Sequence, residues 1–106
     1  EGKEMLEALI STDENAGYLG EAALVEYHSP ISMSGLVYYT TLIDENASCH
    51  LALGRGLNSS PAGHEDLFND STIHVDFMIG TPDMKIVGTT ESGEEVEIFR
   101  NGDFAI

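Results

Sequence analysis

Positive charge is what this chain has least of. Among 106 residues only Lys3, Arg55, Lys85 and Arg100 are basic, against nineteen Asp and Glu, for a formal charge of -15. Nucleic acid and anionic membrane surfaces need clustered cations and are excluded as partners. Cations and cationic groups are the natural ligands of such a field. Cys49 is the single cysteine, so no intrachain disulfide can form, which favours a reducing, cytoplasmic setting. No apolar run approaches the roughly 18 residues of a membrane span. There is no Gly-x-Ser-x-Gly to raise a serine nucleophile and no phosphate-binding loop. The sequence opens at Glu1 without Met or signal-peptide pattern and closes in apolar residues, and it is read as a piece of a larger protein.

What is present is enough for one small domain. Hydrophobic residues make up 42%, which argues against wholesale disorder. Met5, Leu6, Leu9 and Ile10 recur at helical spacing and predict a helix over 3–11. Strands are expected over 19–27, 35–43, 49–53, 72–79, 84–89 and 95–99, separated by turns rich in Asp, Asn, Gly and Pro. Residues 54–69 read as a loop. The predicted class is α+β, a mainly antiparallel sheet with one or two short helices.

Ionisable groups set in apolar sequence are the candidates for chemistry: Glu21, Glu45, His50, His74 and Asp76. His74 and Asp76 stand two apart on an expected strand and so project to one face. Burying such a pair requires compensation, which a divalent ion or a catalytic dyad provides. Three carboxylates and two imidazoles suit zinc, cobalt or manganese, and five donors fit a pair of ions about 3.5–4 Å apart better than one. That chemistry is hydrolysis of an amide, ester or phosphoester. Other readings stand beside it. A buried His is often a satisfied core residue, Glu45 lies in a turn-like context where acids are common, and Asp76 could simply orient the His74 ring. Cys49 points away from His50 on a strand and reads as a small core residue, while His28 and His64 read as exposed. Glu91, Glu94, Glu95 and Glu97 read as a solvated hairpin.

Four blocks, taken in order, carry a family resemblance: Leu19-Gly20-Glu21-Ala22-Ala23-Leu24-Val25; Thr41 through Gly54, with Asp44-Glu45-Asn46 and Cys49-His50; Ile73-His74-Val75-Asp76-Phe77-Met78-Ile79-Gly80; and Ile98-Phe99-Arg100-Asn101-Gly102. As a set they resemble the aminopeptidase T and aminopeptidase S (PepS) family of dinuclear metalloaminopeptidases. The resemblance implies the C-terminal, catalytic part of a larger enzyme that removes N-terminal amino acids from peptides with two divalent metal ions. It implies Glu21 as the bridging carboxylate, His50, His74 and Asp76 as further ligands, and Glu45 as a nearby metal-site carboxylate with a catalytic role. It also implies a homodimer and an N-terminal domain outside this chain. Two departures stand out. The family's first glutamate ligand lies upstream of this sequence, and Leu57 occupies the position of a functional tyrosine. The alternative is a module that binds metal or dimerises without catalysis.

Overall fold

The computed structural model describes residues 1–58 and 63–106. The chain divides into two compact units, Glu1–Ala23 with His50–Phe77, and Leu24–Cys49 with Met78–Ile106.

In the first unit, α1 (Gly2–Ile10) follows the expected apolar stripe, with Leu9 and Ile10 half-buried and Met5 and Leu6 exposed. Strands β1 (Leu19–Ala23), β2 (His50–Gly54) and β3 (His74–Met78) form a sheet in that order, so β2 is central. Its position shows in its burial, because His50, Ala52 and Gly54 are buried and Leu51 and Leu53 are not. β1 runs antiparallel to β2, pairing Ala23 with His50 and Glu21 with Ala52. The segment after α1 is tied to the approach of β3 through Asp13. Its carboxylate accepts from the Thr72 N–H and hydroxyl, both at 2.9 Å, and from the Ser71 hydroxyl and Asn15 N–H, both at 3.0 Å. These donors, led by the Thr72 N–H, hold the Asp13 carboxyl down to about 2.

The second unit departs from the sequence expectation. β1 stops at Ala23 rather than 27, and Ser29-Pro30 starts a helix instead of merely closing a strand. In α2 (Pro30–Ser34) the Ser29 side chain accepts from the Ser32 N–H, Pro30 fills the first turn, and Gly35 ends it at φ 63°. The strand expected over 35–43 is absent. The Asp44 carboxylate takes the Tyr38 and Thr40 N–H groups that a sheet partner would have taken, and α3 (Thr41–Asp44) leads into a 3₁₀ turn, Glu45–Ala47. With α1, that gives three short α-helices among the described residues. Cys49 is buried as expected, and its thiol bonds to the Val25 N–H and carbonyl, each at 3.2 Å.

In a second antiparallel sheet, β4 (Ile86–Thr89) and β5 (Glu95–Arg100) match the expected positions closely, and β6 (Asp103–Phe104) is a short third strand outside that expectation. Asn101 and Gly102 both adopt positive φ, 51° and 81°, which is what a two-residue hairpin between Arg100 and Asp103 requires. His28 is exposed, as expected, yet paired: its Nδ1 lies 2.6 Å from the Asp103 carboxylate. Of the acidic hairpin, Glu97 is half-buried and held by Arg100, which keeps its carboxyl below the usual range. The expected loop over 54–69 contains a 3₁₀ turn, Glu65–Leu67, and its residues 59–62 lie outside the described residues.

Phe99 is the largest fully buried side chain among the described residues, and it meets Phe104 edge-on at 4.5 Å. Phe99→Ala should therefore cost about 3–5 kcal/mol in urea or guanidinium unfolding.

Candidate metal centre

Four of the five candidate residues come together on the first sheet. Glu21 on β1 pairs with Ala52, and His50 on β2 lies one same-face step along. The Glu21 Oε1 sits 3.0 Å from His50 Nε2. β3 brings His74 and Asp76 in from the other side of β2, on one face as expected, with His74 Nε2 3.1 Å from Asp76 Oδ1. The second Glu21 oxygen, Oε2, lies 3.9 Å from His74 Nε2. One carboxylate thus faces two imidazoles, one with each oxygen. Ala52, fully buried on the central strand between them, leaves the space in which side chains from both edges meet.

Glu21, His50 and Asp76 each offer a ligand atom, and these atoms lie within 4.8 Å of one another. The donors are oxygen and nitrogen without thiolate, a set that fits Zn, Co or Mn. His74 flanks this trio through Asp76 and Glu21. Glu45 opens the 3₁₀ turn of the second unit, half-buried there, and the trio forms without it.

Burial at the centre differs from the sequence expectation. His50 is fully buried, but β3 is not an interior strand: the His74 side chain is 36% exposed, and Phe77 and Met78 are exposed as well. An apolar sequence therefore did not mean an apolar environment. The ring of His74 is fixed by the backbone. Its Nδ1 donates to the Arg55 carbonyl at 2.6 Å, which aims Nε2 at Asp76 and Glu21. That bond first, then the Asp76 and Glu21 carboxylates, hold the imidazolium above its ordinary value near 6.5, with burial opposing.

Two contributors were missed. A backbone carbonyl such as that of Arg55 leaves no mark in sequence. Gly20 does leave one, since a glycine inside a strand signals a bulge or close approach. The β1 register shifts between Leu19 and Glu21, and a Cβ at Gly20 would run into the Gly54 carbonyl oxygen and the Arg55 backbone.

The family profile described as thermophilic metalloprotease (M29) matches residues 1–104. The chain belongs to this family. Aminopeptidase 2 of Geobacillus stearothermophilus is 47% identical over 114 positions, covering 99% of this chain and 28% of that protein. Aminopeptidase AmpS of Bacillus subtilis is 47% identical over 113, covering 98% and 28%. The solved structure of wild-type AmpT from Thermus thermophilus matches with a TM-score of 0.83 at 40% identity, over 100% of this chain and 28% of that one. This M29 chain thus spans about 28% of the length of the relatives it matches. The α+β reading with antiparallel sheets and the family resemblance both stand. Leu57 is exposed.

The raised His74 value has a definite sign. Its stabilising contribution in metal-free protein is full below the unfolded value near 6.5 and is lost as pH rises through the higher folded value. An NMR titration of the metal-free protein should show His74 ionising above 6.5, and a midpoint at or below 6.5 would contradict the geometry.

Proposed function

We propose that the protein carrying this chain is an aminopeptidase that removes N-terminal residues from peptides with two divalent ions, zinc, cobalt or manganese. The observation that carries the reading is the Glu21 carboxylate, with one oxygen toward His50 and the other toward His74. In this reading Glu21, His50, His74 and Asp76 would hold the two ions, with Glu21 in the bridging role that the family resemblance gives it. Such an ion pair supplies an activated water and a polarised carbonyl. The chain's own residues do the rest. The Arg55 carbonyl fixes the His74 tautomer so that Nε2 is the ligand atom. The acidic field draws in the protonated α-amine of a peptide with a free N-terminus. Glu45 retains the catalytic carboxylate role that the family resemblance gives it.

The same reading covers the rest of the molecule. Leu36, Val37, Tyr39 and Leu42 are exposed. That fits a chain covered elsewhere by its own N-terminal domain or by the partner of a homodimer. No helix among the described residues is long and apolar enough to cross a membrane. The free thiol of Cys49 suits a cytoplasmic setting.

The family resemblance, which puts Leu57 at the position of a functional tyrosine, favours a second reading, a metal-binding or dimerisation module without catalysis. For this chain by itself we propose little or no turnover, because the upstream glutamate ligand is not in it.

Two measurements test the proposal. In the full-length protein, Glu21→Ala should remove most bound metal and lower hydrolysis of a leucyl or arginyl anilide by several orders of magnitude. Full activity in that variant would sink the bridging role, and metal binding with no hydrolysis in the parent would favour the non-catalytic module. Cobalt or zinc at 100 times Kd should stabilise the protein by about 2.7 kcal/mol, read as a rise in Tm that chelator reverses.

A further inference from the structure

The candidate ligands stand on three strands, and a single side chain outside the centre links the segments that deliver them. The Asn69 amide donates to the Asn15 carbonyl at 3.0 Å, with the Tyr18 and Leu19 carbonyls at 3.3 and 3.4 Å. Leu19 begins β1, two residues before Glu21. The Asn69 Oδ1 accepts from the Ser71 N–H at 3.0 Å, and the Ser71 hydroxyl accepts from the Ile73 N–H at 3.2 Å, next to His74. The Asn69 backbone carbonyl accepts from Gly56 N–H at 2.9 Å. Gly56 follows Arg55, whose N–H donates to the Ile73 carbonyl at 2.6 Å and whose own carbonyl receives His74 Nδ1.

We propose that Asn69 is a positioning residue of the metal centre, setting Glu21 and the Arg55–His74 pair in register with each other. The proposal rests on the metal reading above. The residue type matters. An amide presents two N–H donors toward a cluster of carbonyl oxygens and one acceptor toward a backbone N–H, and no other short side chain offers two donors together with an acceptor. Aspartate at 69 would keep the acceptor for Ser71 and turn an anionic oxygen toward the Asn15, Tyr18 and Leu19 carbonyls. Alanine would withdraw the amide from those carbonyls, leaving Asn15 and Tyr18 only the Tyr18 and Gly54 N–H groups, and would take from the Ser71 N–H its Asn69 acceptor.

The test compares Asn69→Asp and Asn69→Ala with Phe99→Leu in the full-length protein, the last being a core change in the other unit. Two readouts are taken. Cobalt affinity, measured by calorimetry on metal-free protein, should fall about 10–100-fold in the Asn69 variants and stay at the parent value in Phe99→Leu, whatever each does to Tm. In metal-free protein, the His74 Nδ1–H resonance should be protected from exchange in the parent and in Phe99→Leu. It should be lost in the Asn69 variants while the amide spectrum remains that of a folded chain. Parent-like cobalt affinity together with a retained Nδ1–H signal would overturn the proposal. If both Asn69 variants fail to fold, Asn69→Ser provides the milder change and is judged by the same two readouts. A parent that binds no cobalt would instead remove the metal reading, and the Nδ1–H readout would then decide the positioning role alone.

Discussion

The candidate centre depends on how closely β1 and β2 approach at Gly20. There is no room for a Cβ against the Gly54 carbonyl, so only glycine lets the two backbones come together with a bulge between Leu19 and Glu21. The bulge sets the phase of everything after it on β1. A one-residue slip would send Glu21 to the opposite face and pair His50 with Ala22 or Leu24 in place of Ala23. The same approach aligns the end of β2, where Gly54 donates to the Tyr18 carbonyl and Arg55 turns its carbonyl to His74. A carboxylate on one edge strand and an imidazole–carboxylate pair on the other can then converge over a small residue, Ala52, on the strand between.

Electrostatics makes that convergence tolerable without making it neutral. Two carboxylates and two imidazoles share a small space in a chain that already carries a charge of -15. The Arg55 carbonyl first, and the Asp76 and Glu21 carboxylates after it, favour the His74 imidazolium, and that positive charge offsets part of the cluster's. A divalent ion held by these residues, as proposed above, would do the same more completely by taking the place of the imidazole proton. Proton and metal are therefore competitors for one arrangement of side chains, and each tolerates the other's geometry.

The legible and illegible parts of this chain divide along physical lines. β4 and β5 could be read directly, because tight turns bracket short β-rich runs and the pairing partner is next in sequence. The Asn101-Gly102 turn was equally plain. Residues 35–43 were misread, since Val37, Tyr38, Tyr39, Thr40 and Thr41 have strand composition but no partner strand. A side chain, Asp44, takes the N–H groups instead, and local propensity yields to that tertiary choice. At the centre, residue type and i, i+2 spacing placed His74 and Asp76 on one face, and the structure agrees. That Glu21 would reach both imidazoles could not be read from the residues alone, because it needs strand order and register, two non-local properties. The burial of β3 was over-read from its apolar letters.

Partial exposure at the centre changes what an affinity for metal would have to come from. Glu21, Asp76 and His74 keep roughly a fifth to a third of their side-chain surface open, and only His50 is sealed. In a sealed site, the cost of an unpaired buried charge would itself drive metal uptake. Here water can hydrate the carboxylates when no ion is bound, so that drive is weak. Affinity must then come from preorganisation, from side chains already held near their binding positions so that little freedom is lost on binding. The rigid elements on the page supply this: the glycine-locked contact of β1 with β2, the Arg55 carbonyl under His74, and the Asp13 and Asn69 bonds that hold the entrances of β1 and β3. If the centre holds metal as proposed, hydrogen bonds remote from the ligands would therefore bear on its affinity.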